Sequence, residues 1–165
     1  MADRRLQERL QPSLLDRLTD DAPGDLKEKR DDRVIDARRL RDILQRDLSW
    51  LLNTSNLQSE IDPELFPQAS VSVVNYGIEE VAGTYSTERR AVLLQDAIEQ
   101  AIQVYEPRIR RGTLSVLLHS EENARETLVT FDIRADMWAQ PLPQSVYLRS
   151  EVDLTTGAVT LESTG

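Results

Sequence analysis

Thr87-Glu88-Arg89-Arg90-Ala91-Val92-Leu93-Leu94-Gln95-Asp96-Ala97-Ile98-Glu99-Gln100-Ala101-Ile102-Gln103-Val104-Tyr105-Glu106-Pro107-Arg108-Ile109-Arg110-Arg111 reads as one amphipathic helix with an abrupt end. Leu94, Ile98, Ala101 and Tyr105 recur at helical spacing, and Ala91, Ala97 and Ile102 widen that stripe. Arg89, Asp96, Glu99, Gln100 and Gln103 fall on the far side. Ser86 or Thr87 suits the cap, and Glu88 suits the positive end of the helix. Pro107 stops the helix, because it has no N–H to donate and it disfavours helical geometry at Glu106. A carboxylate at the negative end of a helix calls for a cation, and Arg108, Arg110 and Arg111 follow at once. The stretch admits two readings: a helix terminus closed by an internal ion pair, or a rigid acid–base pair presented to another protein.

Upstream, a second long helix is expected from about Asp36 to Leu52. Leu40, Ile43, Leu44, Leu48, Leu51 and Leu52 form its apolar face, with Trp50 widening it, Asp36 capping it and Asn53 stopping it. Residues 53–68 read as loop, with Pro63 and Pro67 flanking a single turn at Glu64-Leu65-Phe66. Val71-Ser72-Val73-Val74 reads as a strand or an extended segment, Asn75-Tyr76-Gly77 as a tight turn, and Gly83 as a further break.

From Thr113 the period changes to two. Leu114, Val116 and Leu118 form one face of a strand that ends at His119. A polar turn from Ser120 to Arg125 leads to Val129, Phe131 and Ile133 in a second strand. Pro141 and Pro143 bound a loop near Trp138. Val146, Leu148, Val152 and Leu154 share a face of a third strand, Thr155-Thr156-Gly157 turns, and Val159 and Leu161 belong to a fourth. Helices first and strands later predict an α+β fold: a four-stranded antiparallel meander packed on two long helices.

The start of the chain is different in kind. Pro12 interrupts a run of leucines, and Asp20 to Asp25 and the charged run Lys27 to Arg33 break any continuation. Residues 1–30 are therefore read as an arm carrying a short amphipathic helix, Ser13 to Leu18, and residues 31–165 as the domain. Leu14, Leu15 and Leu18 make a small apolar stripe suited to docking, either on the chain's own domain or on a partner.

Composition narrows the function. A chain of 165 residues supports one domain with a core, and a net charge of −9 with a pI of about 4.7 argues against a nucleic-acid partner. There is no cysteine and a single histidine, His119, so no metal site or cofactor is expected. No glycine-rich phosphate loop or nucleophile elbow occurs, and with 29 acidic residues a carboxylate pair is uninformative. No apolar run approaches the roughly 20 residues of a membrane span, so a cytoplasmic protein without membrane insertion is expected. The terminal strand gives one more candidate: Ala158, Val159, Thr160 and Leu161 are β-prone and uncharged, an edge with none of the usual protections. Such an edge suits strand addition by a partner, unless the arm or residues 71–74 cover it.

Four stretches carry a resemblance. Pro12-Ser13-Leu14-Leu15-Asp16-Arg17-Leu18-Thr19-Asp20, Arg46-Asp47-Leu48-Ser49-Trp50-Leu51-Leu52-Asn53-Thr54, Asn75-Tyr76-Gly77-Ile78 and Glu106-Pro107-Arg108 stand in the order found in TssE. TssE is the baseplate subunit of bacterial type VI secretion systems, and the resemblance implies a relative of the wedge protein of contractile phage tail baseplates. It implies a place between the wedge core bundle and the first ring of the contractile sheath. Its implied partners are the TssF, TssG and TssK assembly and the sheath subunits TssB and TssC. On that reading Glu106, Pro107, Arg108, Arg110 and Arg111 would face the wedge, and residues 158–161 the sheath. The family also bears a "lysozyme-like" label, so a peptidoglycan hydrolase is the competing function, and a cytosolic adaptor of similar fold a third. A glycosidase needs an acid that holds its proton, commonly in an apolar pocket. Three arginines beside Glu106 favour the charged carboxylate instead, so no enzymatic activity is expected.

Overall fold

The strand half of the chain folds as its period of two predicts. The computed structural model describes residues 13–19, 23–24, 37–79, 87–119, 127–138 and 144–163. Strands β1 (Ser115–His119), β2 (Leu128–Met137), β3 (Gln144–Asp153) and β4 (Val159–Ser163) form one antiparallel sheet in the order β1-β2-β3-β4. Val116 lies opposite Ile133, Ile133 opposite Leu148, and Val152 opposite Val159, so one face carries the apolar set across the sheet. The other face bears Arg134, Tyr147, Arg149 and Glu151 and is wetter, as the alternation requires.

Two long helices cover the apolar face. Helix α2 (Ala37–Leu52), preceded by the short α1 (Leu14–Leu18), lies over β3 and β4. Helix α4 (Thr87–Tyr105), which follows the single-turn α3 (Pro67–Ser70), packs on β1 and on α2. Leu40, Ile43, Leu44, Leu48, Leu51 and Leu52 are buried from α2, and Ala91, Leu94, Ile98, Ala101 and Ile102 from α4. They meet Phe131, Ile133, Met137, Leu148 and Val152 in a single core. This is the α+β fold expected from the sequence.

Several local expectations need correction. Val71–Val74 is not a strand: the chain makes a 3-10 turn over Val73–Asn75, with Val71, Val73 and Val74 exposed. Pro67, read as flanking a turn, opens α3 instead. Trp50 does not join the buried stripe; it is 50% exposed and lies under the Arg46 guanidinium, 4.9 Å from the ring centroid. Leu118 shares the inward face by periodicity yet is about half exposed on the edge strand. Asp36, Gly83, Ser86, the run Lys27 to Arg33, the turn Ser120 to Arg125, Pro141, Pro143 and the boundary at residue 30 lie outside the described residues, as do the side chains of Thr87 and Glu88.

Candidate functional site

The four stretches singled out in the sequence come together in space. Glu106 N–H makes the last helical bond of α4, to the Ile102 carbonyl at 3.0 Å, and Pro107 then ends the helix. The Glu106 side chain is only 5% exposed. Its carboxylate accepts three hydrogen bonds from one residue: from Arg108 N–H at 3.0 Å, Nε at 2.7 Å and Nη2 at 2.5 Å. The same Nη2 reaches Asp47 Oδ2 on α2 at 2.7 Å. Asp47 Oδ1 in turn accepts from Arg46 Nε at 2.9 Å and Nη2 at 2.6 Å. Arg46 Nη1 then donates to Asp16 Oδ1 of α1 at 2.6 Å.

Acids and bases thus alternate from Asp16 through Arg46, Asp47 and Arg108 to Glu106, joining the arm, the first long helix and the turn after the second. Three acids and two bases leave this row one negative charge in excess. Burial weakens the hold of Arg108 on its proton, but the hydrogen bonds and charges of Glu106 and Asp47 outweigh it and shift its pKa upward. The hydrogen bond from Arg46 holds the Asp16 carboxyl below the usual carboxylate range, and Asp16 with Asp47 raises Arg46 in return. Arg108 Nη1 is buried and has no hydrogen-bond partner among the described residues.

The central turn buttresses this row. Tyr76 packs edge-to-face on Tyr105, with ring centroids 5.4 Å apart. Burial, and then the charges of Asp47 and Glu106, push its hydroxyl pKa up. The Tyr105 hydroxyl, one residue before Glu106, lies 2.6 Å from the Asn75 carbonyl and 3.0 Å from that of Ser72. Asn75 is buried, accepting from Leu57 N–H at 3.0 Å and donating to the Ser70 carbonyl at 2.9 Å. Gly77 has φ 120°, and a Cβ there would sit 2.1 Å from the Thr54 carbonyl oxygen, so only glycine fits.

Of the other expected residues, Pro107 and Arg111 are exposed and Arg110 is half-buried. Arg110 N–H donates to the Asp136 carbonyl at 2.8 Å, and Trp138 N–H to that of Arg108 at 2.7 Å, so the turn is stitched onto the end of β2. The Arg110 guanidinium stacks on the exposed Trp138 ring at 5.4 Å. Leu14, Leu15 and Leu18 are all exposed: α1, capped by Ser13, buries no residue and is held to the domain by Asp16. Sequence reasoning missed Asp16, Arg46, Asp47 and Trp138 as members of this site. Asp16, Arg46 and Asp47 lay inside the resembling stretches; Trp138 left no signal.

At residues 158–161 the edge is not bare. Ala158 turns its carbonyl to Asp153 N–H at 3.0 Å, so alternation directs the backbone of Val159 and Leu161 outward. Asn53 meets Val159 as a neighbouring strand would, accepting from its N–H at 2.9 Å and donating to its carbonyl at 2.8 Å. Gln45 Nε2 donates to the Leu161 carbonyl at 2.7 Å. Among the described residues the cover comes from α2 and the asparagine that ends it. On the opposite edge Gln95 of α4 clips the Val116 carbonyl at 2.9 Å, and no side chain among the described residues clips Leu118.

His119 Nδ1 lies 3.2 Å from Asp132, which also holds Arg149 at 3.0 Å. Among the described residues no group of three or more His, Cys, Asp or Glu is placed to hold a metal ion, and no helix is long and apolar enough to cross a membrane.

The profile of one family, described as Baseplate wedge protein gp25, matches residues 38–142. That span includes α2, the Asn75–Gly77 turn, α4, the Glu106–Arg108 turn, β1 and β2, and it leaves out α1, β3 and β4. No curated protein and no solved structure matches the chain.

Proposed function

Since this chain belongs to the baseplate wedge protein gp25 family, we propose that it is the TssE-type structural subunit of a type VI secretion baseplate. In this role it links the wedge core bundle, built with TssF, TssG and TssK, to the first ring of the TssB–TssC sheath in the cytoplasm. The observation that carries the reading is the convergence of all four resembling stretches on the row from Asp16 to Glu106. A turn held by α2 through Asp47 and by the end of β2 through Asp136 and Trp138 presents Pro107, Arg110 and Arg111 on a rigid support, so docking costs little side-chain entropy. Arginine with an adjoining tryptophan is the composition of an interface anchor.

The leucines of α1 serve as a second contact, because the arm is anchored by its aspartate and leaves them uncovered. Sheath contact by strand addition at residues 158–161 requires Asn53 and Gln45 to release the edge, whereas no side chain among the described residues bonds the edge at Leu118. No hydrolase step is assigned. Glu106 is buried, and three of its carboxylate's roughly four acceptor positions are taken by Arg108, so the group is committed to the protein's own arginine. The test is co-expression with TssF, TssG, TssB and TssC. Co-elution of this chain with wedge subunits supports the reading. Release of soluble muropeptides from peptidoglycan by the purified chain, lost in Glu106→Gln, would replace it with the hydrolase.

A further inference from the structure

Between α2 and α4, the described residues 53–79 show solvent more apolar surface than a loop needs. Leu65, Phe66, Val71, Val73 and Val74 are each more than half exposed, Val73 to 82%. Scattered singly such residues are ordinary; five within ten positions mark a contact surface. The loop is also firmly built. Backbone bonds run from Phe66 to Asp62, from Ser70 to Phe66, from Ser72 to Ala69 and from Asn75 to Ser72. Asn75 at its centre is tied on both sides, and Tyr105 fastens it to α4. Its apolar side chains are thus displayed on a preorganised frame.

Charge identifies the occupant. From Asp47 to Glu88 the sequence contains no lysine, arginine or histidine, while Glu60, Asp62, Glu64 and Glu79 are exposed in the same segment as the apolar residues. A groove of about 100 Å³ runs between the loop and α4. Ala97 and Ala101 line it together with Glu79, and so do Ser70 and Asn75, which bracket the Val71–Val74 segment. We propose that this loop and groove bind a basic amphipathic segment of another protein. Its apolar side covers Leu65, Phe66 and the three valines, and its cations stand against Glu64 and Glu79. One lysine or arginine lies along the groove, its methylene stem over the two alanines and its charged end at Glu79. A second copy of this chain, at net charge −9, is repelled from the same surface, as is an anionic membrane. The proposal goes beyond the baseplate reading, which assigns this loop no partner.

The test titrates fluorescent 14-residue helical peptides into the full chain and reads anisotropy. Three peptides share an amphipathic pattern: leucine with lysine, serine with lysine, and leucine with glutamate. The leucine–lysine peptide should bind one to one, with the other two at least tenfold weaker. Leu65→Ser with Val73→Ser should weaken it at least tenfold, and Glu64→Gln with Glu79→Gln several-fold, with the melting temperature unchanged in both. Equal binding by the double serine variant, or by either control peptide, overturns the proposal. So does self-association of the free protein that the serine substitutions abolish. A Leu6→Ser with Leu10→Ser variant that binds the peptide tenfold more tightly would give the surface to this chain's own N-terminal residues, and also overturns it.

Discussion

Arg108 carries two duties that compete. It neutralises the buried Glu106 and it bridges to Asp47, so its fork is needed for the fold before any partner arrives. Removing one member of a buried pair strands the other, at a cost of about 3–5 kcal/mol. Arg108→Ala is therefore expected to lower the unfolding free energy by that amount, read as a lower urea midpoint at an unchanged slope, and Arg108→Lys, which keeps the charge without the fork, by less. An unchanged midpoint would mean that Glu106 does not depend on it. Gly77 is held by geometry instead of charge. Its left-handed backbone alone predicts about 1–3 kcal/mol of strain for Gly77→Ala, and contact with the Thr54 carbonyl adds to it. The same urea titration reads it, and a neutral result would show that the turn can open without loss.

At the scale of elements, amide side chains finish what the strands begin. Asn53 stops α2 as the sequence predicts, and its amide also stands in for a missing strand beside Val159. Asn53→Ala should speed amide exchange at Val159 while costing about 0.5–1.5 kcal/mol per hydrogen bond lost. Unchanged exchange there would show the edge protected by something else. Among the described residues, helix α1 is tied to the domain through one carboxylate. The folded pKa of Asp16 lies below its ordinary 3.8 because Arg46 binds the charged form. Its contribution is therefore complete above pH 3.8 and is lost as the pH falls through the depressed folded value. Nuclear magnetic resonance of residues 14–18 should show the helix detaching in that acid window, and detaching at pH 7 in Asp16→Asn. Attachment that ignores both would place its anchor elsewhere. The helix faces and the strands were legible because each follows a local period. Val71–Val74 misled because an apolar run looks the same whether it is buried or, as here, displayed. Trp50 misled because its place in the stripe does not reveal that Arg46 lies over it. The clipping of β4 by α2 was beyond reach, since Asn53 and Val159 are 106 positions apart.

In the molecule as a whole, the site is an assembly of distant short stretches. Glu106 and its arginines were legible as a pair from Pro107 and the helix end, and the sequence left open whether the pair faces inward or outward. The structure turns Glu106 inward, with Pro107 and Arg111 exposed and Arg110 half-buried. Asp16, Arg46 and Asp47 were invisible as partners, because no local rule links an arm, a helix and a turn. The central claim is that this turn, fixed by the row behind it, is the wedge-binding face. It is tested most directly by comparing the wild-type chain with Arg110→Ser/Arg111→Ser in quantitative co-purification with TssF and TssG. The account predicts stoichiometric recovery of the wild type, and at least tenfold less of a double variant whose melting temperature is unchanged. Recovery of the double variant at the wild-type level, or no recovery of the wild type at all, would contradict it.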